Sequence, residues 1–509
     1  MSLKKRYLFK LLTNLTGFAI GLVTQSIVPR SLGPIAYGNF SFLTSFFQQV
    51  AGLFNLNSST AYYTKLSKKQ DDRSLVGFYF IVILMIAAGL LIVFSVPFFT
   101  GLNTFVWPGQ QWVYVGLAVV WAFFTFYSTV LNDMADAYAL TVRSESLKMI
   151  IKLLGFVIIL MMFWQKWFSL RNYFFYQLSI LAITVLLLSM LIKRSKMPLF
   201  GDYSPSSSET SIYRKEFAAF CLPLIVFVGL SIFEQIADRW FLQMFSGSVK
   251  QGYYALAYQI GAICFLFTSA FIPLVLREQS ISFGKNDHQA LRYIFMRFIP
   301  MLYTLTAFFC CFIVIEARQV LHFFGGSAYA GALVPLMIMC LFPIHQTYGQ
   351  LNTNMFFATE RVKTYRNIGL VFIAIGLPTT LFLLGPRTYG CLQLGAMGLA
   401  VKMVVINILS TNVQLWFNTR YLGLSYKELL IHQILTVAVL LVLAWGTSLG
   451  IRYVVNDNHY IVQFVLSGMM YSMLAGILAF MVPGIFKVQR SDFIRFYEFF
   501  RRKWAAQTS

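Results

Sequence analysis

Apolar residues in this chain come in blocks of about twenty or more, separated by short polar stretches rich in Lys and Arg. A helix needs roughly 20 apolar residues to cross a hydrocarbon core about 30 Å thick. About fourteen blocks meet that length: 8–29, 37–63, 75–99, 112–138, 147–165, 172–192, 217–244, 252–276, 294–315, 331–357, 366–384, 391–417, 429–451 and 461–482. A transmembrane barrel would instead alternate apolar and polar positions over segments of about ten residues. The pattern therefore predicts an all-α membrane protein with about fourteen transmembrane helices.

The pattern also repeats. GPIAYGNFSF at 33–42 and GSVKQGYYAL at 247–256 share Gly, four residues, Gly and a following aromatic, 214 positions apart. YALTVR at 138–143 and FFATER at 356–361 share Thr-x-Arg, 218 positions apart. Six spans per half start both halves on the same side, which predicts a parallel pseudo-two-fold repeat of the kind found in transporters that rock one lobe against another. The expected organisation is an N-lobe at 1–192, a Ser-rich linker at 193–216, a C-lobe at 217–417, two further helices at 418–486 and a tail at 487–509. In that tail Phe493, Phe496, Phe500 and Trp504 recur at helical spacing among arginines, as in a helix lying on an anionic leaflet. Pro223, Pro273, Pro335, Pro343 and Pro378 fall inside spans, where each removes a backbone donor and bends its helix.

Charge fixes the expected orientation. The net charge of +22 would point to nucleic acid in a soluble protein, but only 11% of residues are charged and 58% are hydrophobic. With the N-terminus inside, 31 of the 40 Lys and Arg residues fall in inside segments and 7 in outside segments. That is the positive-inside bias, with both termini cytoplasmic. No loop is long enough for a soluble catalytic domain, so no enzyme is expected. The six cysteines form no C-x-x-C pair and the five histidines have no metal-ligand spacing, so neither a metal nor another cofactor is expected.

The two remaining cations, Arg239 and Lys402, lie inside spans. A charge near mid-bilayer costs about 2.5–3.5 kcal/mol on insertion scales and usually faces a cavity or a partner. Lys402, placed near the middle of 391–417, is the best candidate for a cavity cation attracting an anion, the other reading being a salt bridge between helices. Glu234 and Asp238 lie four apart and share a helix face. Two such carboxylates in a poorly solvated site can retain one proton, which makes them candidates for coupling; the other reading is that Arg239 neutralises Asp238. Arg239 falls at the repeat position of Gln25. Arg30 closes the first span, either as a cavity cation or as a loop anchor. Asn55, Asn57, Gln346 and Gln350 are candidate cavity polar groups, able to glue helices or to hydrogen-bond a solute in a wet cavity.

These residues resemble a known family. PRSLGPIAYGNFSF at 29–42 is similar to the Arg-x-Leu-Gly-Pro-x-x-Tyr-Gly signature of the polysaccharide exporters, Wzx-type flippases of the multidrug/oligosaccharidyl-lipid/polysaccharide (MOP) superfamily. Pro223, Asp238, Arg239, Gly252 and Tyr253 resemble the start of that family's second half. Pro273 and Arg277, FGGSAYAGALVPL at 324–336, Ala358 to Lys363 and GAMGLA at 395–400 follow its order, so that the likeness covers about 1–420. It implies a MATE/MOP-like fold of two six-helix lobes plus two C-terminal helices. It also implies flipping of an undecaprenyl-pyrophosphate-linked oligosaccharide across a bacterial inner membrane by alternating access, for O-antigen, capsule or exopolysaccharide. Implied partners are that polyprenyl-linked glycan, membrane lipids, and a polysaccharide polymerase with its chain-length machinery, with no nucleic acid. The rivals are a MATE-type cation-coupled multidrug antiporter and a peptidoglycan lipid-precursor flippase. Span one carries no Asp or Glu, and Lys402 is positive, both of which favour an anionic substrate. Substituting Lys402→Ala or Arg239→Ala should therefore cut export at unchanged membrane abundance, with Lys402→Arg milder. Normal surface polymer from a Lys402→Ala strain would remove the cavity-cation role.

Overall fold

The computed structural model describes residues 3–201, 203–222, 225–265, 268, 271–455 and 460–487. The tail helix expected around 493–504 and Pro223 lie outside the described residues. In chain order the helices are α1 (Leu3–Asn55), α2 (Ser58–Lys68), α3 (Arg73–Phe99), α4 (Asn103–Val106), α5 (Trp112–Ala137), α6 (Thr141–Trp164), α7 (Leu170–Arg194), α8 (Ser207–Cys221), α9 (Ile225–Ile263) and α10 (Ile272–Gly284). They continue with α11 (His288–Ile315), α12 (Ala317–Gly325), α13 (Leu333–Met339), α14 (Phe342–Ala358), α15 (Val362–Leu384), α16 (Gly395–Leu422), α17 (Tyr426–Val454), α18 (Tyr460–Met481) and α19 (Pro483–Phe486). No strand occurs among the described residues. The chain is thus an all-helical, multi-pass membrane protein.

Among the described residues ten helices are long and apolar enough to cross a membrane, or eleven if the bent pair α8 and α9 is one span. The ten coincide with ten of the expected blocks. The other four expected spans lie on α1 and on the run from α8 to α10, which are broken within their length. Two compact units result: one holds the chain to Tyr253 with Phe324–Ala328 and Leu377–Gly395, the other holds Tyr254–Phe323, Tyr329–Gly376 and the chain from Ala396 onward. The core of the second is built on Tyr303, Tyr348, Leu351, Leu415, Leu440 and Tyr471, all buried.

The repeat is written into the backbone. α1 breaks at Gly33 (φ 73°, ψ 169°) and α9 breaks at Gly247 (φ 73°, ψ −177°), 214 positions apart. That conformation is essentially open to glycine alone. Five residues on, Gly38 and Gly252 let the chain approach itself. A Cβ on Gly38 would sit 1.9 Å from the Ser248 carbonyl oxygen, and one on Gly252 would sit 2.2 Å from the Pro34 carbonyl oxygen. Ser248 is the repeat partner of Pro34, so the two contacts are exchanged by a local pseudo-two-fold axis. Small residues at such crossings let helix backbones touch in lipid, where side-chain burial drives little association.

The equivalence runs on through the loops. Asp72 caps α3 by accepting from Leu75 N, and Asp287 caps α11 by accepting from Ala290 N. Gly109 (φ 70°) and Gly326 (φ 68°) are both left-handed; Gln243 lies over the first and Arg30 over the second, again crosswise. At the far ends of α5 and α14, Ala139 and Glu360 share φ 58°. Leu140 N donates to Ala135 O and Arg361 N to Phe356 O, each at 2.8 Å, the same helix-terminating motif. This corrects one alignment. The Thr-x-Arg match at 218 positions is out of register; the shared turn sets the spacing there at 221, and Arg361 pairs with Leu140. The offset grows along the chain because the second half carries a few extra loop residues.

Within the first unit, α8 packs on α2 and α3. Ser206 and Glu209 form a reciprocal capping box. Glu209 accepts from Ser74 Oγ at 2.5 Å, Tyr213 donates to Asp72 at 2.9 Å, and Lys65 pairs with Glu216 at 2.6 Å.

The glycine crossing generates a stability prediction. Gly38→Ala or Gly252→Ala must separate two backbones and should destabilise the protein by about 1–3 kcal/mol, as overpacking does. Gly116→Ala, whose Cβ would meet Phe94 at an ordinary 3.7 Å, should be neutral. Thermal unfolding in detergent, with the three variants side by side, reads the difference.

Candidate functional site

A polar cleft of about 530 Å³ lies within the second unit, between α10, α14, α15 and α16. α14 supplies Gln346, Gly349, Gln350, Thr353 and Asn354; α16 supplies Asn407, Ser410, Thr411 and Gln414. Ile272 and Pro273 close one side and Tyr365 another. The span is interrupted after Met339, and Pro343, with no N–H to donate, sits in the first turn of α14, where that donor has no helical partner to lose. The residues Gln346, Gln350, Asn354 and Asn407, Ser410, Thr411, Gln414 then fall on facing stripes at helical period.

Some of these groups are tied. Asn354 Nδ2 donates to Ile272 O at 2.9 Å, Asn407 Nδ2 to Phe342 O at 3.3 Å, and Thr353 Oγ1 to Gln414 Oε1 at 3.4 Å. The amides of Gln346 and Gln350 have no side-chain hydrogen bond among the described residues, and both line the cleft. No carboxylate occurs among the described lining residues. Such a wall offers donors and acceptors to a neutral polyhydroxylated molecule and no counter-charge to a cation.

Outside the cleft, Arg361 is linked to the lining residue Tyr365 through the Phe356 ring. Its guanidinium stands 3.9 Å from the Tyr421 ring centroid and 4.9 Å from that of Phe356. Phe356 in turn packs on Tyr365, at 6.2 Å between centroids. Arg361 Nη2 donates to Asn418 Oδ1 at 2.5 Å and Nε to Thr359 Oγ1 at 3.0 Å. Asn418, fully buried, donates to the backbone and side-chain oxygens of Asn352 at 3.1 and 3.2 Å. Partial burial lowers the Arg361 pKa from its ordinary value.

The first unit holds another group of the expected residues. Asp238 is 5% exposed and accepts from Thr380 Oγ1 at 2.6 Å. Glu234 is half-buried one turn before it. Arg239 Nη1 donates to Gln251 Oε1 at 3.1 Å, and the Gln251 amide returns a bond to the Arg239 carbonyl. Arg239 also lies within electrostatic reach of buried Tyr37. Gln49 Nε2 bonds Gln235 Oε1 at 3.0 Å where α1 runs along α9. Gln25, half-buried, stands eight residues before Gly33 as Arg239 stands eight before Gly247. Arg30 is exposed and lies against Gly326, whose loop is also held by Tyr253 Oη donating to Ala328 O at 3.4 Å.

Other expected residues sit elsewhere. Asn55 accepts from Ser58 Oγ at 2.8 Å and Ser59 N at 3.1 Å, closing the break before α2, while Asn57 caps α2 with a left-handed backbone. Lys402 is 3% exposed. It is the eighth residue of α16, about 10 Å from its start and nearer that end than expected. It projects roughly 130° around the helix from the cleft stripe, so the structure does not bring Lys402 to Gln346 and Gln350. Sequence reading missed Asn407, Ser410, Thr411, Gln414 and Asn418. Their spacing along α16 was the available signal, diluted by the apolar residues between them.

No known family and no curated protein matches the sequence. Solved structures do match. Lipid II flippase MurJ, in an inward closed conformation, aligns over 93% of this chain and 99% of its own at TM-score 0.66 and 12% identity. A multidrug resistance MATE family transporter of the MOP superfamily, inward-facing, aligns over 80% and 94% at TM-score 0.61 and 14% identity. A MOP superfamily transporter from Pyrococcus furiosus, described by the reverse polarity of its binding pocket, aligns over 82% and 96% at TM-score 0.55 and 15% identity. The fold is that of MOP superfamily transporters.

The Asp238 contact makes a prediction. Thr380→Val removes a hydrogen bond to a buried carboxyl group and should lower stability by about 1–3 kcal/mol, while Thr380→Ser should retain most of it. Equal melting temperatures for the two variants would show that the bond contributes nothing.

Proposed function

We propose that this chain flips a lipid-linked oligosaccharide across a bacterial inner membrane by alternating access, as a step in surface polysaccharide assembly. The observation that carries this reading is the cleft of the second unit, where the unpartnered amides of Gln346 and Gln350 stand among hydroxyl and amide groups with no described carboxylate. Sugar hydroxyls are the natural complement of such a wall. The lipid flippase MurJ also aligns over more of this chain than the MATE transporter does, 93% against 80%.

In this reading Lys402, Arg239 and Arg30 supply positive potential for the phosphate linkage. Gln25, Asn55 and Asn57 belong to the polar path, and Glu234 and Asp238 take up a coupling cation or proton. The two lobes fall at 1–192 and 217–417, with 193–216 as linker, 418–486 as two added helices and both termini cytoplasmic. A second reading, cation-coupled drug export, is favoured by one observation, the buried Asp238 carboxyl group held by Thr380.

The test is the lipid-linked glycan pool of a deletion strain, divided into two faces with a membrane-impermeant probe. Accumulation on the cytoplasmic face with loss of surface polymer is expected. An unchanged pool together with lost drug or cation efflux would replace the flippase with the antiporter.

A further inference from the structure

Arg361 is a half-buried cation in a turn that does not need one. The first half of the chain makes the same turn with the same left-handed residue and the same 2.8 Å terminating bond, using Leu140 where the second half has Arg361. The same spacing sets Leu131 opposite Asn352; Leu131 is fully buried in an apolar core and Leu140 packs against that core. In the first half this turn carries leucine at both positions. In the second half the two positions are instead polar, and Asn418 on α16 joins them.

The arrangement holds the guanidinium still. Two aromatic rings, the Asn418 oxygen and the Thr359 hydroxyl fix its plane, and Asn418 is itself held by Asn352. No carboxylate pairs with Arg361 among the described residues, and neighbouring Glu360 is exposed. Nη1 makes no hydrogen bond among the described residues. α15 starts at the next residue, and Thr364 N and Tyr365 N of its first turn donate to the Arg361 carbonyl, which puts Arg361 at the positive dipole end of that helix. Lys363, exposed in that turn, adds a second cation. A fixed guanidinium without a counter-ion beside a helix N-terminus matches the charge and planar geometry of a phosphate group.

We propose that Arg361, aimed by Asn418, is the anion-binding head of the cleft and takes a phosphate or diphosphate ester there. The choice of a prenyl diphosphate as that ester rests on the flippase reading above. The sugar then lies along Gln350 and Gln346 and the phosphate end is anchored at the Arg361 turn.

The experiment titrates inorganic pyrophosphate into the full chain in phosphatidylcholine nanodiscs. Arg361→Leu, the residue the first half uses, should weaken binding about ten-fold or more and, by leaving the buried Asn418 oxygen without its donor, lower the ligand-free melting temperature. Arg361→Lys, which keeps charge but loses the planar fork, should fall between. Equal affinity in wild type and Arg361→Leu overturns the site. Where Arg361→Leu does not fold, Asn418→Ala decides: a weakened titration supports the aimed guanidinium and an unchanged one overturns it. Repeating the titration with phosphatidylglycerol in the nanodisc separates the two phosphate sources. Undiminished pyrophosphate binding supports a substrate phosphate, whereas displacement through Arg361 assigns the site to bulk lipid head groups and overturns the substrate role. A failed titration leaves the glycan-pool assay untouched, and a failed pool assay leaves a measured anion site standing.

Discussion

Everything in the first unit is arranged around a place where the chain touches itself without side chains. Gly38 meets the Ser248 carbonyl and Gly252 meets the Pro34 carbonyl, each one turn past a glycine held at φ 73°. Hydrophobic side chains give little attraction between helices already in lipid. Close backbone approach supplies dispersion and weak Cα–H···O contacts instead. The crossing then fixes where α1 and α9 run, and with them the polar pairs Gln49–Gln235 and Arg239–Gln251.

On this repeated scaffold the chemistry is one-sided. Caps, breaks and terminating turns recur at nearly constant spacing, while the groups that could recognise a ligand do not. Leu131 and Leu140 pack an apolar core in the first half; Asn352 and Arg361 occupy the matching positions in the second and are joined through Asn418. Repetition thus acts as an internal control. A residue present in both halves is accounted for by the fold, and a polar residue in only one of them has to be explained by something else.

The helices and the repeat were legible in the sequence because both follow from local rules. Twenty apolar residues in lipid leave the backbone no alternative to a helix; the glycines at 38 and 252 mark positions where a Cβ does not fit, and those at 33 and 247 mark a backbone with positive φ. The junctions within α1 and α9 were legible too, since the expected gaps at 29–37 and 244–252 hold the breaks at Gly33 and Gly247, although each is a kink in a continuous helix and not a polar loop. The Thr-x-Arg match misled by three residues because the turn is set by a left-handed backbone at Ala139 and Glu360, which two unlike side chains both adopt. The cleft was half legible. Gln346 and Gln350 stood out, but whether a polar residue on a helix faces a neighbour, lipid or a cleft depends on rotation about the helix axis, which sequence fixes only through packing. Lys402 shows this: the sequence places it inside a span, but only rotation about α16 decides whether it faces the cleft stripe.

The backbone crossing also bears on motion. Interlocked side chains resist sliding because rotamers must be reset and voids opened at each step. A joint of glycine on carbonyl has no rotamers to reset, and its weak contacts re-form continuously as one helix rolls on the other. Friction at such a bearing is low while the separation of the two axes stays fixed, so α1 and α9 can pivot there with little change in packing.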